Sequence, residues 1–150
     1  IYHSTMYDQI LIPTDGSEET QDAVEHAIDL ALTYDATLHT LFVINTNVGV
    51  DSSVIGTLEA LEESGENAIE AVIDRAQDAG VGTIEGSVAQ GAPHQAILDY
   101  VDENDIDLVV MGTHGRSGLD RYLLGSVTEK VVRLSDAPVM TVGTSDTSAE

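Results

Sequence analysis

The sequence contains no cysteine and no tryptophan, and only five of its 150 residues are lysine or arginine. Without cysteine there is no disulfide framework and no thiol chemistry. It has no run of 18 apolar residues and no charged, apolar leader, which favours a cytoplasmic protein without a membrane partner. The chain begins with Ile1, and its polar ends are interpreted as flexible termini, residues 1–5 and 144–150, around one domain of residues 6–143.

Acidic residues dominate the charge, with 27 Asp and Glu giving a net charge of -22. They recur along the polar sides of the predicted helices and would form a surface coat. Such a coat repels nucleic-acid phosphates and anionic membranes, which argues against either as an electrostatic partner. It predicts adaptation to molar salt, where a Debye length of about 3 Å screens the self-repulsion. The alternative is an acidic protein of an ordinary mesophile.

Apolar segments alternate with segments of helical periodicity along the whole chain. The predicted strands are Gln9–Pro13, Thr37–Ile44, Thr83–Ala89, Leu108–Met111 and Val139–Val142. The predicted helices are Thr20–Tyr34, Val54–Ala79, a helix entered at Pro93, and Val127–Leu134. This alternation predicts an α/β fold, a doubly wound parallel sheet of five strands with helices on both faces.

Three positions in the predicted helices carry more specific expectations. Leu32 falls on the apolar side of the first helix and is expected to be buried. Gly65 marks a kink or break in the second helix, and Gly80 marks its end.

A glycine-rich segment follows the fourth strand, with Gly112-Thr113-His114-Gly115 and then Gly125-Ser126 opening the last helix. Glycines let backbone N–H groups approach an anion, and a helix start adds free donors and the positive end of its dipole. The Ser126 hydroxyl would supply a further donor. The spacing predicts an anion site, although an isolated pair of such glycines would equally suit an ordinary turn.

Basic residues are concentrated near this segment, since four of the five are Arg116, Arg121, Lys130 and Arg133. Arg116 is the candidate for a phosphate contact. Lys130 and Arg133 are better explained as charges that favour the C-terminal end of the helix dipole, and Arg121 as a surface residue.

Pro13, Thr14 and Asp15 end the first strand. In an open α/β sheet, ligands bind beyond the carboxyl ends of the strands, where the strand order reverses. Asp15 would face Gly112 across that crevice if their strands are neighbours, and could accept a hydrogen bond from a ribose hydroxyl or an adenine amino group. The alternative is a turn or N-cap role before the first helix.

These segments resemble the universal stress protein family, its ATP-binding branch in particular, and the acidic composition resembles a haloarchaeal-type member. The resemblance runs from about Met6 to Val142 and is carried by Ile10 to Ser17, Gly91 with Pro93, Asp107 through Ser126, and Pro138-Val139. It implies the strand order 3-2-1-4-5, bound ATP or AMP, and a homodimer through the last strand. Magnesium would arrive with the nucleotide.

The same resemblance implies roles for individual residues. Pro13, Thr14 and Asp15 would lie near the nucleoside, and the backbone of Val43 would meet the adenine. Met111 would line the pocket. The phosphate cradle would consist of Gly112, Gly115, Gly125, Ser126 and Val127, with Arg116 beside it.

Other catalytic or metal-binding motifs are missing from the sequence: there is no P-loop, no nucleophile elbow and no metal-ligand spacing among the histidines. His26 and His94 are expected on helix surfaces and His39 in a strand. The favoured function is therefore an ATP-binding stress or regulatory protein with little or no hydrolysis. Two alternatives stay open: an enzyme that cleaves ATP between its α- and β-phosphates, and a protein-interacting member that binds no nucleotide.

Overall fold

The computed structural model describes residues 6–45, 55–113 and 125–143, with side chains in the second helix described from residue 58. The predicted flexible termini lie outside these residues. The strands are β1 Gln9–Pro13, β2 Thr37–Asn45, β3 Ile84–Gly91, β4 Leu108–Gly112 and β5 Val139–Val142. The helices are α1 Gln21–Tyr34, α2 Ile55–Ala79, α3 Pro93–Glu103 and α4 Ser126–Leu134.

The five strands form one parallel sheet in the order β3-β2-β1-β4-β5. This confirms the predicted doubly wound fold and its strand order. Successive side chains of β1 point to opposite faces, so Ile10 and Ile12 pack on one side and Leu11 on the other. All three are fully buried, because β1 is the middle strand and helices cover both of its faces.

Two apolar cores lie on either side of the sheet. On one face, α1 and α2 pack over the strands through small and branched residues such as Val24, Ala27 and Val72. On the other face, α3 and α4 cover the sheet with Ile97, Val101 and Val131. Within the described ranges, no helix is both long enough and apolar enough to cross a membrane.

The prediction of a break at Gly65 was wrong, because α2 continues through this residue without interruption. A Cβ at this position would lie 2.7 Å from Cδ1 of Phe42, a strand residue that is 6% exposed. Gly86 of β3 has the same role from the opposite side, since a Cβ there would lie 2.4 Å from Cγ2 of Ile69 in α2. Both glycines therefore permit the close approach of α2 to the sheet.

The end of α2 at Gly80 is confirmed. This residue has φ +101° and its N–H donates to the carbonyls of Ala76 and Gln77, which is how glycine closes a helix. The expectation for Leu32 was wrong: its side chain is 43% exposed at the margin of α1. Leu30 and Tyr34 of α1 pack against the core instead.

Candidate functional site

A cavity of about 420 Å³ opens at the carboxyl ends of β1, β2 and β4, beside the first turns of α3 and α4. It lies where the strand order reverses, with β2 on one side of β1 and β4 on the other. Nine of the predicted site residues line it: Pro13, Thr14, Asp15, Val43, Met111, Gly112, Gly125, Ser126 and Val127. The other two, Gly115 and Arg116, lie outside the described residues.

Six further residues line the cavity and were not predicted for it: Thr20, Leu41, Asn45, Pro93, Ile97 and Thr128. Leu41 precedes Val43 by two positions, so strand alternation places both on one face and could have identified it. Pro93 and Ile97 start α3, and their contribution depends on where that helix crosses the sheet. Strand and helix periodicity alone does not contain that information.

Hydrogen bonds fix the turn at the end of β1. The Asp15 Oδ1 atom accepts a hydrogen bond from the Ser17 backbone N–H at 2.9 Å and another from the Ser17 hydroxyl at 2.5 Å. The Thr14 hydroxyl oxygen accepts from the N–H of Gly16, whose φ is +78°. Asp15 thus has the turn role that was its alternative interpretation, and it also lines the cavity.

The end of β4 and the start of α4 are joined by short hydrogen bonds. The N–H of Gly125 donates to the carbonyl of Thr113 at 2.7 Å, and the hydroxyl of Thr128 donates to the carbonyl of Gly112 at 2.9 Å. These bonds hold the start of α4, with its first N–H groups, at the cavity wall. Such groups have no intrahelical partner and lie at the positive end of the helix dipole, an arrangement that binds anions.

Gly125 occupies a position where the described structure does not require glycine. Its φ of -61° and ψ of 154° are accessible to any residue. The nearest described atom to an added Cβ is the Thr113 carbonyl oxygen at 3.5 Å, an ordinary contact. The missing side chain instead leaves open space at the cavity wall, beside the first turn of α4.

Charged side chains occur both in the cavity lining and on the exposed surface of α4. Asp15 is the charged residue among the described lining residues. Arg133, in the last turn of α4, lies 2.9 Å from Glu129, and this pairing lowers the pKa of Glu129 and raises that of Arg133. Its place in the last turn agrees with the interpretation of Arg133 as a charge that favours the C-terminal end of the helix dipole. Arg121 and His114 lie outside the described residues.

Comparison with known proteins places the chain in a family. The model of the universal stress protein family matches residues 6–143. Universal stress protein MJ0531 of Methanocaldococcus jannaschii is 36% identical over 91% of this chain and 82% of its own length. Universal stress protein YxiE of Bacillus subtilis is 32% identical over 91% and 99%.

Solved structures agree with this result. The structure of protein MJ0577 is 30% identical and superposes with a TM-score of 0.86 over 94% of this chain and 99% of that one. A universal stress protein in complex with cAMP is 29% identical, with a TM-score of 0.74 over 93% and 98%. With a family model that spans nearly the whole chain, and with relatives of this identity and coverage, the protein belongs to the universal stress protein family.

Proposed function

We propose that this chain is a stress-response or regulatory protein that binds an adenine nucleotide, ATP in the first place, in the cavity at the switch point. One observation carries the proposal: the N-terminus of α4 and the turn at Asp15 flank a single cavity of about 420 Å³. Its volume lies within the usual range for small-molecule sites. A nucleotide needs an anion site and a polar site for the nucleoside, and the two ends of the cavity offer one of each.

In this proposal the nucleotide spans three strands. The adenine lies against the backbone of Val43, and Asp15 accepts a hydrogen bond from the nucleoside. The phosphates reach the first turn of α4, where the N–H groups of Ser126 and Val127 and the Ser126 hydroxyl donate to their oxygens. Gly115 and Arg116 are proposed as additional phosphate contacts, and magnesium accompanies the nucleotide.

The bound cAMP of the 29% identical structure supports an adenine nucleotide as the ligand. The described lining residues also support slow or absent hydrolysis. Asp15 is the carboxylate among them, and its Oδ1 atom accepts two hydrogen bonds from Ser17. A general base needs to reach an attacking water, and in this proposal Asp15 binds the nucleoside instead of facing the phosphates.

The test is a substitution at Gly125. Gly125→Val places two methyl groups at the start of α4, where the phosphates approach, and calorimetry in molar potassium chloride should show loss of ATP binding. The fold should persist with a cost of about 1 kcal/mol, because valine is a poorer N-cap than glycine. Arg116→Ala should weaken binding less, since a single ion pair contributes about 1 kcal/mol and molar salt screens it further.

Gly82→Val is the matched control, because nothing lies within 4 Å of an added Cβ at that exposed position. It should bind ATP as wild type does. Wild-type affinity in Gly125→Val would contradict the phosphate assignment. If wild type binds none of ATP, AMP and cyclic AMP, the protein-interaction alternative replaces the nucleotide proposal.

We also propose a cytoplasmic homodimer that pairs β5 with the β5 of a second copy. Support comes from the sheet order, in which β5 is an edge strand whose residues Val139 and Met140 are only half-buried. An apolar edge with unpaired backbone groups favours association with another strand. Light scattering in molar salt tests this. The carbonyls of Pro138 and Val142 accept hydrogen bonds from β4 and the residue after it, so by alternation the N–H of Thr141 faces the open edge. Thr141→Pro should therefore weaken the dimer by removing an edge N–H.

A further inference from the structure

Ser17 lies behind the cavity wall and is bonded to two residues of that wall. Asp15 and Thr20 are lining residues of the cavity, and Ser17 is not among the described ones. The Ser17 N–H and hydroxyl both donate to Oδ1 of Asp15, at 2.9 and 2.5 Å. The Ser17 carbonyl accepts from the hydroxyl of Thr20 at 2.9 Å and from its N–H at 3.3 Å. One residue outside the cavity therefore holds two residues of its wall.

The hydroxyl of Ser17 does not have the role that its position in the chain predicts. Ser17 is the N-cap residue of a short 3-10 turn, Glu18–Thr20, and an N-cap serine ordinarily accepts a hydrogen bond from an N–H group of the first turn. Here the side chain makes no capping bond, although its φ of -82° and ψ of 163° suit an N-cap. The hydroxyl donates to the carboxylate of Asp15 instead. Helix capping therefore does not account for this contact.

The contact fixes the orientation of a carboxylate at the cavity. Both donors hold the same oxygen, so rotation of the Asp15 side chain would break two hydrogen bonds together. Hydrogen bonds to an ionised acceptor are also stronger than those between neutral groups. A side chain that is already held loses little further freedom when a ligand binds, and that loss otherwise weakens binding about two- to tenfold.

Further hydrogen bonds connect Ser17 to the surface of α2. Nε2 of Gln21 in α1 donates to the Ser17 carbonyl at 3.1 Å, and Oε1 of Gln21 accepts from Nη1 of Arg75 in α2 at 2.6 Å. Arg75 is the basic residue of the sequence that lies outside the segment 116–133, and here it donates to a neutral amide. Because a guanidinium can only donate, it fixes the amide with its oxygen toward Arg75 and its NH₂ group toward Ser17.

We propose that Ser17 is a positioning residue, which holds Asp15 in the orientation that receives the nucleoside. Gln21 and Arg75 extend this support to α2, and the three residues together form the brace of Asp15. The ligand part of this inference rests on the proposed nucleotide function. The brace touches the ligand at no point, so its loss should weaken binding only through the orientation of the carboxylate.

Calorimetry with ATP in molar potassium chloride tests the role of the Ser17 hydroxyl. Ser17→Ala keeps the backbone N–H bond to Asp15 but removes the hydroxyl bond, and it should weaken ATP binding about threefold or more. Ser17→Thr keeps a hydroxyl on an extended backbone that threonine readily adopts, and it should restore wild-type affinity. Full affinity in Ser17→Ala, or an equal loss in both variants, would overturn the proposal.

Ser135→Ala is the matched control, because the Ser135 hydroxyl also stabilises a local turn but lies outside the described cavity lining. It donates to the carbonyl of Ala137 at 2.9 Å and accepts from the N–H of the same residue at 3.0 Å. This variant should bind ATP as wild type does. A loss of affinity equal to that of Ser17→Ala would assign both effects to general destabilisation, which contradicts a positioning role.

A double-mutant cycle shows whether Ser17 acts through Asp15. Asp15→Ala removes the carboxylate that receives the nucleoside and should weaken ATP binding by itself. If the hydroxyl acts by orienting that carboxylate, Ser17→Ala should cause no further loss of affinity in the Asp15→Ala protein. Additive losses in the double variant would overturn this mechanism.

Gln21→Met tests the outer part of the brace, since it removes the amide and keeps a side chain of similar length. It should weaken ATP binding about twofold, less than Ser17→Ala, because the Ser17 carbonyl still accepts from Thr20. Wild-type affinity in this variant would overturn the extension of the brace to α2.

NMR of the ligand-free protein tests the brace without any nucleotide. The three-bond couplings from the Asp15 backbone nitrogen and carbonyl carbon to Cγ report the rotation about Cα–Cβ. Wild type should show the couplings of a single rotamer, and Ser17→Ala an average over more than one. If wild type binds no ATP, the nucleotide function fails, while this difference still supports the brace. Identical couplings in the two proteins would overturn it.

Discussion

Buried threonines show how a single hydroxyl can help or harm the fold. Thr40 in β2 is fully buried, and its Oγ1 atom has no hydrogen-bond partner among the described residues. Thr128 in α4 is 6% exposed, and its hydroxyl donates to the carbonyl of Gly112. The same side chain therefore has opposite energetic consequences at the two positions, because an unpaired buried hydroxyl has lost its water without compensation.

Thr40→Val replaces the unpaired hydroxyl with a methyl group of nearly the same shape. We expect it to raise the free energy of unfolding by about 1 kcal/mol, since no intramolecular bond is lost. Thr128→Val is the matched control and should lower that free energy by about 1 kcal/mol, because it leaves a buried carbonyl without its donor. Urea denaturation of both variants measures the two changes, and a loss of stability in Thr40→Val would contradict this account.

At the level of elements, α2 depends on two glycines for its position on the sheet. Gly65 lies in the helix itself and Gly86 in β3, and each occupies the place where a Cβ would collide with a branched or aromatic side chain of the other layer. Neither glycine has a positive φ, so packing and not backbone conformation requires them.

Gly86→Ala should lower the free energy of unfolding by about 1–3 kcal/mol, because its Cβ would lie 2.4 Å from Cγ2 of Ile69 and force α2 outward. Gly82→Ala, at an open position four residues earlier, should be neutral or slightly stabilising. Thermal unfolding followed by circular dichroism compares them. Equal melting temperatures for the two variants would show that α2 moves freely over β3.

The elements themselves could be predicted from the sequence, because strand and helix periodicity is a local property. The bounds of β1 and β5 match the prediction, and those of α1, α2, α4, β2 and β4 differ from it by one residue at one end, whereas β3 starts one residue later and ends two residues later than predicted. The roles of Gly65 and Gly86 could not be predicted, since they depend on which residues of another layer lie opposite. The hydrogen bond between His39 of β2 and Tyr100 of α3 joins positions 61 residues apart, and only the crossing of α3 over β2 creates it.

At the scale of the whole molecule, the net charge of -22 should make the fold depend on salt. Self-repulsion acts over a Debye length of about 10 Å at 0.1 M salt and about 3 Å at 1 M, so added salt should raise the melting temperature. A potassium chloride series followed by circular dichroism measures this. A melting temperature that stays the same from dilute buffer to molar salt would rule out the proposed adaptation to high salt.

Much of the candidate site was also predictable, because the carboxyl ends of parallel strands meet at one edge of a sheet. That rule puts Asp15 and Gly112 at one crevice if β1 and β4 are neighbours, which the strand order implied by the family resemblance provides. It could not predict that Pro93 and Ile97 form part of the cavity wall, because their position depends on the tilt of α3. Nor could it show that Asp15 holds its own turn through Ser17.

The central position of β1 has a consequence for the order of events during synthesis. β1 is synthesised before the other strands, but one of its edges stays unpaired until β4 has been made. The hydrogen bond from the N–H of Gln9 to the Asp107 carboxylate spans 98 positions. The ribosome delivers the chain from the N-terminus, so β1, α1 and β2 can associate early while the opposite edge of β1 stays open. The cavity wall at Gly125 and Ser126 arrives later still. A ligand of this cavity can therefore stabilise only molecules whose synthesis has passed α4. Truncated chains gain no protection from it against proteolysis.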